Sequence, residues 1–266
     1  MRGEFLLNES HPTRYSAPRV LGIIPARRGS KGIPKKNLAP IAGRPLISYT
    51  FEQAALSQRL DRVILSTDDE DIAALGREWG VDVPFIRPSD LAGDTATLEP
   101  ALTHALDWLS DKEGYLPDAF AILQPPTPLR TAAHIDGAIA LLDSSEADAV
   151  VSVSPPMEHP NDMVYFEGNQ LLWVLSETGY VAGVQREGYS PCYFVNGAVY
   201  VTRVEAFRRT NSRFGDTTIP YLMDTLDSID IDTQSDLIIA ELLLRYRAKD
   251  RNDLEPASSG PTGTRH

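Results

Sequence analysis

The stretch VLGIIPARRGSKGIPKKN, residues 20–37, decides the fold prediction and opens the functional argument. Its first five residues are an apolar run typical of a buried strand. Gly29 and Gly32 follow, and their missing side chains let backbone amides approach a ligand. Five cations accompany them within ten residues: Arg27, Arg28, Lys31, Lys35 and Lys36. A strand that leads into such a loop, here called the basic loop (residues 27–37), indicates a phosphate-binding site.

The charge of the whole chain strengthens this interpretation. The 266 residues carry a formal net charge of -12, so a short loop with five cations favours a bound anion. The loop is not a Walker loop, because the second Gly-Lys pair and the following hydroxyl residue are missing, and it contains no GxGxxG. A solvated basic turn remains the alternative on motif grounds.

Short β-branched runs alternate with helical patterns along the chain. Strands are predicted at residues 20–24, 62–66, 119–123, 149–153 and 198–201, and helices at 45–56, 69–79, 99–109 and 133–142. This alternation indicates βαβ units, and therefore an α/β fold with a mostly parallel sheet covered by helices on both faces. Ligands of such folds bind at the carboxyl ends of the strands.

Composition predicts one main domain. With 42% hydrophobic and 23% charged residues, the chain can bury one large core, which we place at residues 19–247. Residues 155–188 mix alternating apolar residues with turn signals, which favours a small antiparallel excursion. We expect residues 1–18 to be a flexible extension and the polar residues 248–266, rich in Ser, Gly and Pro, to be a disordered tail.

Composition also excludes classes of partner. No segment approaches the ~20 apolar residues of a transmembrane helix, so no membrane partner is expected. No basic face is visible beyond the first loop, which argues against nucleic acid. The single cysteine, Cys192, allows no intramolecular disulfide and indicates a reducing, cytoplasmic compartment.

An acidic motif, DSIDIDT, begins at Asp227 and belongs to what we call the acidic loop (residues 224–232). Asp230 and Asp232 are two positions apart, so in an extended segment both carboxylates project from the same face. Two such carboxylates repel each other unless a cation lies between them, and Mg²⁺, which takes one or two carboxylates plus phosphate oxygens, is the usual occupant. The alternative is an acidic loop on an acidic protein.

Five blocks of the chain together resemble the acylneuraminate cytidylyltransferases, which make CMP-sialic acid and related CMP-activated nine-carbon keto-acid sugars. They are the basic loop, RVILSTDDEDIA from Arg62, RPSDLAGDTAT from Arg87, LQPPTPLRTAAHI from Leu123, and NGAVYV from Asn196 with DSIDIDTQSDL from Asp227. The resemblance covers residues 20–244. It implies a Rossmann-like nucleotidyltransferase that uses CTP and Mg²⁺. It also implies a homodimer in which residues 155–188 form the dimerisation arm and cover the sugar site of the neighbouring subunit.

The resemblance also implies roles for individual residues. The expected CTP-binding residues are Ala26, Arg27, Ser30, Lys31, Lys36, Asn37, Arg87 and Thr95. The expected sugar-binding residues are Gln124, Arg186 and Asn196, and the expected metal ligands are Asp230 and Asp232. Arg27, Lys36 and the two aspartates are expected to act at the reacting phosphate.

Some positions depart from the family pattern and bear on the sugar. Asn161 and Asp162 stand where sialate enzymes commonly have a lysine, and Phe194 and Val195 stand where Arg-Pro often precedes the NG pair. The loss of cations near an acidic sugar keeps legionaminic and pseudaminic acids open as substrates beside N-acetylneuraminic acid. A CMP-Kdo synthetase-like enzyme and a non-catalytic nucleotide-binding homologue are the remaining alternatives.

Overall fold

A computed structural model describes residues 18–30, 32–93, 96–175 and 190–254. The strands in these ranges are β1 (Val20–Ala26), β2 (Pro40–Ile41), β3 (Arg44–Pro45), β4 (Arg62–Thr67), β5 (Ala119–Ile122), β6 (Ala149–Ser154), β7 (Val164–Glu167), β8 (Gln170–Trp173), β9 (Phe194–Arg203) and β10 (Thr218–Leu222). The helices are α1 (Leu46–Leu56), α2 (Glu70–Glu78), α3 (Glu99–Glu113), α4 (Ala132–Asp143), α5 (Val204–Thr210) and α6 (Gln234–Leu254).

Six strands form one sheet in the order β10-β6-β9-β5-β1-β4. β1 pairs in parallel with β4 and β5, and β6 pairs in parallel with β10, while β9 runs antiparallel between β5 and β6. The prediction of a mostly parallel sheet is therefore confirmed, and β9 makes the sheet a mixed one. The hairpin of β7 and β8 lies outside this sheet and confirms the antiparallel excursion.

Alternate side chains of β1 enter hydrophobic clusters on opposite faces of the sheet. Val20 and Ile24 pack in a cluster with residues of α1, α2 and α4. Leu21 and Ile23 pack in a second cluster with residues of α3 and α5. Because helices cover both faces, the central strands are nearly continuous apolar runs, which is the signal that made them predictable.

A third hydrophobic cluster brings the two charged loops together. It contains Ile33 of the basic loop, Ile229 and Ile231 of the acidic loop, and Ala240 of α6. Ile231, which lies between Asp230 and Asp232 in the sequence, is fully buried. The apolar residues of each loop therefore anchor it, and the charged residues beside them are left facing the carboxyl edge of the sheet.

The last helix corrects one predicted boundary. α6 continues to Leu254, so residues 248–254, which we predicted to begin a disordered tail, are helical. These seven residues contain neither proline nor glycine, and nothing in them breaks a helix before Pro256. The predicted N-terminal extension up to residue 17 and the tail from residue 255 lie outside the described residues. Of the helices described, none has both the length and the apolar composition that a bilayer crossing requires.

Candidate active site

A cleft of about 330 Å³ opens at the carboxyl ends of β1 and β5. These strands are adjacent and parallel, so the loops that follow them meet at one edge of the sheet. Six of the predicted site residues line the cleft: Arg27, Ser30, Lys36, Asn37, Arg87 and Gln124. Three others, Lys31, Thr95 and Arg186, lie outside the described residues.

Hydrogen bonds from two predicted site residues fix the basic loop. Nδ2 of Asn37 donates to the carbonyl oxygen of Arg27 at 3.0 Å and so ties the end of the loop to its beginning. Nη1 of Arg27 donates to the carbonyl oxygen of Gly93 at 3.2 Å, on the opposite wall of the cleft. Ala26, the last residue of β1, is buried beneath them. The loop thus holds Arg27 and Lys36 in the lining of the cleft.

Lys36 connects the basic loop to the acidic loop. Its Nζ donates to the carbonyl oxygen of Ile231 at 2.7 Å and to Oδ1 of Asp232 at 3.0 Å. Gly32 makes this approach possible, because a Cβ placed on it would lie 2.1 Å from the carbonyl oxygen of Asp232. Any side chain at position 32 would push the two loops apart.

Asp230 is a half-buried carboxylate at the same edge. Burial, followed by the nearby charge of Asp232, raises the pKa of Asp230 to about 6, and Lys36 opposes this rise. The described residues contain no cluster of three or more His, Cys, Asp or Glu suited to a metal ion. Two neighbouring carboxylates close to a cleft that is lined by cations nevertheless fit Mg²⁺, which takes its other ligands from phosphate and water.

Arg87 lies against the opposite wall of the cleft and is 5% exposed. Its Nη2 is 3.6 Å from Oδ1 of Asp68, and burial lowers the pKa of its guanidinium. The same Oδ1 accepts the backbone N–H of Arg28 at 2.9 Å. Asp68 therefore links the basic loop to Arg87, a role that sequence analysis missed. The sequence signal for this role was the aspartate at position 68, directly before the helix cap. The cap is Asp69, whose side chain accepts the N–H groups of Asp71 and Ile72 at the start of α2.

Gln124 and Asn196 were both expected to contact a sugar, but they lie in different environments. Gln124 lines the cleft, and its Oε1 is 4.0 Å from the position that a Cβ on Gly197 would occupy. Asn196 is fully buried, and its amide is hydrogen-bonded within the protein. The sugar contacts of both residues stay predictions.

Arg130, in the same motif as Gln124, is a fully buried guanidinium, and burial lowers its pKa to about 9. Nη1 donates to the carbonyl oxygens of Gln124 at 3.0 Å and Ala198 at 2.8 Å, and Nη2 donates to the hydroxyl of Thr50 at 2.7 Å. No ion pair of Arg130 is seen among the described residues. Arg130 instead fixes the loop that carries Gln124 against β9 and α1.

The sequence and the fold were compared with those of known proteins. A family profile described as Cytidylyltransferase matches residues 21–152. An N-acylneuraminate cytidylyltransferase of Streptococcus agalactiae serotype III is 34% identical over 242 residues, which are 87% of this chain and 55% of that protein. The chain thus spans about half the length of this curated relative. A CMP-N,N'-diacetyllegionaminic acid synthase of Legionella pneumophila is 31% identical over 85% of this chain and 96% of its own length.

The fold has a counterpart among solved structures. The structure of a CMP:2-keto-3-deoxy-manno-octonic acid synthetase complexed with CTP aligns with a TM-score of 0.61 at 15% identity, covering 86% of this chain and 99% of that one. At this identity the likeness concerns the fold alone. The sequence similarity is stronger evidence, because it extends over 96% of the Legionella pneumophila relative. The chain belongs to the acylneuraminate cytidylyltransferase family.

Proposed function

We infer that the chain is a Mg²⁺-dependent cytidylyltransferase that joins CTP to a nonulosonic acid and yields the CMP-sugar and pyrophosphate. The observation that carries this inference is the contact of Lys36 with the acidic loop at the mouth of the cleft. This contact brings a cation suited to phosphate next to two carboxylates suited to a metal ion. A nucleotidyl transfer needs this combination, because positive charge must be fixed around the reacting phosphate.

In this reaction the anomeric hydroxyl of the 2-keto acid forms a bond to the α-phosphorus of CTP, and the bond from that phosphorus to pyrophosphate breaks. Arg27 and Lys36 stabilise the charge that develops on the phosphate oxygens. Asp230 and Asp232 would hold Mg²⁺, which would lower the pKa of the attacking hydroxyl and neutralise phosphate charge. The hydroxyl proton then passes to solvent, so no separate protein base is required.

The remaining cleft residues bind the two substrates. We assign Ser30, Lys31 and Asn37 to the triphosphate, and Ala26, Arg87 and Thr95 to the cytidine end. The burial of Arg87 supports its assignment, because its Nε has no hydrogen-bond partner among the described residues. We assign Gln124 and Arg186 to the sugar acid, where an arginine fork suits a carboxylate.

We propose that the sugar is a nonulosonate rather than Kdo. The names of two sequence relatives support this choice, because they specify an N-acylneuraminate and a diacetyllegionaminate. The chain is proposed to act as a homodimer through residues 155–188. The exposure of Tyr165, Phe166 and Leu171 on the β7–β8 hairpin supports this arm, because large exposed apolar groups favour association. A reducing cytoplasm that contains CTP suits both the reaction and the single cysteine.

The test is pyrophosphate release from CTP and Mg²⁺ with N-acetylneuraminic, legionaminic, pseudaminic and Kdo acids, and with ATP, GTP and UTP as nucleotide controls. Release with CTP and one nonulosonate would establish the reaction and name the substrate. Release with Kdo alone would overturn the sugar assignment.

A second measurement separates an enzyme from a non-catalytic nucleotide-binding homologue. Asp232→Asn should lower turnover about 100-fold or more while CTP affinity falls much less, because the carboxylate acts mainly at the reacting phosphate. A binding-only protein would show the affinity change and no turnover in either form.

A further inference from the structure

The buried amide of Asn196 uses its whole hydrogen-bonding capacity inside the protein. Oδ1 accepts from Oγ of Ser152 at 2.6 Å and from the N–H of Ala198 at 3.1 Å. Nδ2 donates to Oγ of Ser228 at 2.8 Å and to Sδ of Met223 at 3.6 Å. A side-chain amide has two acceptor positions and two N–H donors, and all four are occupied. No atom of this amide remains for a sugar.

The two serines fix the direction of the network. Oγ of Ser152, on β6, accepts the N–H of Val199 at 2.8 Å and so donates its own hydrogen to Asn196. Oγ of Ser228 donates to the carbonyl oxygen of Asp224 at 2.7 Å and therefore accepts from Asn196. Each hydroxyl thus has one donor and one acceptor role. The network connects β6 and β9 to the acidic loop through side chains that cannot reorient independently.

This network lies next to Asp230 of the acidic loop. Ser228 precedes Asp230 by two residues, and Gly197 has a left-handed backbone with φ of 71°. A Cβ on Gly197 would lie 3.5 Å from Oδ2 of Asp230. The backbone N–H of Ile231 donates to the carbonyl oxygen of Pro126 at 2.9 Å, which anchors the loop on the other side of Asp230.

Two neighbouring carboxylates repel each other, so a loop that carries both needs such anchors. We propose that Asn196, together with Ser152 and Ser228, is a positioning unit that holds the acidic loop in place, and that Asn196 does not bind the sugar. The proposal rests on the proposed function of the site. Its residues act through Asp230 and Asp232 and do not touch the substrates.

The experiment compares Ser228→Ala and Ser228→Thr with the matched control Thr225→Ala. Thr225 belongs to the same loop, but its hydroxyl donates to the carbonyl oxygen of Pro155 at 3.4 Å and not to Asn196. Two quantities are measured: the kcat and sugar KM of pyrophosphate release, and Mn²⁺ binding from the EPR signal of free Mn²⁺ in the presence of CTP, after subtraction of the Mn²⁺ held by CTP alone.

Ser228→Ala should lower both kcat and Mn²⁺ affinity about 10-fold, since groups that orient metal ligands have effects of this size. The sugar KM should stay unchanged, Ser228→Thr should recover most of both losses, and Thr225→Ala should match the wild type. If Ser228→Ala does not fold, Ser152→Ala cuts the same network at its other end and should show the same pattern.

Two results would overturn the proposal. One is a Ser228→Ala protein, or its Ser152→Ala substitute, with wild-type Mn²⁺ affinity. The other is an Asn196→Ala protein in which only the sugar KM rises. Mn²⁺ binding needs no turnover, so a wild type inactive on every sugar would count against the proposed function while the binding data still decide the positioning role.

Discussion

Lys36 and Asp232 lie 196 positions apart in the sequence and form the ion pair that closes the basic loop onto the acidic loop. The side chain of Lys36 is 13% exposed, whereas that of Asp232 is 76% exposed. The lysine is also anchored by the carbonyl oxygen of Ile231. Its position is therefore fixed by the protein, while the carboxylate of Asp232 is open to solvent.

Replacement of Lys36 should therefore remove a fixed charge from the reacting phosphate. Lys36→Met should lower kcat for pyrophosphate release about 100-fold, since loss of one preorganised stabilising group costs this much. Lys35→Met is the matched control, because Lys35 is exposed and pairs with Asp71 at 3.5 Å, away from the acidic loop. The control should keep nearly full activity. A Lys36→Met enzyme within about threefold of the wild type would show that Lys36 does not act on the phosphate.

The close approach of the two loops at Gly32 gives a second prediction. In Gly32→Ala the new Cβ would overlap the backbone carbonyl of Asp232, and a backbone atom cannot move aside as a side-chain tip can. We expect turnover to fall at least about 10-fold, and the free energy of unfolding to decrease by about 1–3 kcal/mol. Gly93→Ala is the control for stability, since a Cβ there meets no atom of the described residues within 4 Å. Equal melting temperatures for the two variants would refute the contact.

The parallel strands β1, β4 and β5 were predictable from the sequence, because strands buried on both faces are apolar along most of their length. Sequence analysis could not give the direction of β9, since period and β-propensity are the same in both directions. It also missed α6, whose apolar residues lie both on the exposed side, as Leu242 does, and on the buried side, as Ala240 does, so that they form no single apolar stripe.

Among the site residues, the cations and carboxylates at strand ends were predictable from their chemistry. The structural roles of Arg130 and Asn196 were not, because a polar side chain in a motif suggests ligand contact until its partners are known. Those partners come from distant segments, as with Ala198 for Arg130 and Ser228 for Asn196. Only the folded chain brings them together.

The buried position of Arg130 leads to a third prediction. Arg130→Met would leave two carbonyl oxygens and the Thr50 hydroxyl without their donor, at a cost of about 3 kcal/mol. The melting temperature should fall by about 6–12 °C for a chain of this size. Arg245→Met removes an exposed arginine that pairs with Glu241 on α6, and its effect should stay below about 0.5 kcal/mol. Equal melting temperatures for the two variants would contradict the role given to Arg130.

His134 provides the pH prediction. Burial is the largest cause that lowers its pKa below 6.5; Arg247 and Arg130 oppose protonation as well, while Asp227 and Asp224 favour it. Its Nδ1 accepts the N–H of Thr131 at 3.2 Å, and Nε2 lies 3.4 Å from Oδ2 of Asp227, which fits a neutral ring.

The folded state therefore resists a proton that the unfolded chain accepts below about pH 6.5. The contribution of His134 to the free energy of unfolding should be constant above this pH and should fall as pH drops through the range between the unfolded and the folded pKa of His134. Gln cannot titrate, so the free energy of unfolding of His134→Gln, measured by urea unfolding, should fall less than that of the wild type as pH drops from 6.5 to 5. If His134→Gln keeps the wild-type dependence of the unfolding free energy on pH, the acid sensitivity arises elsewhere and the ring is not held neutral by its burial.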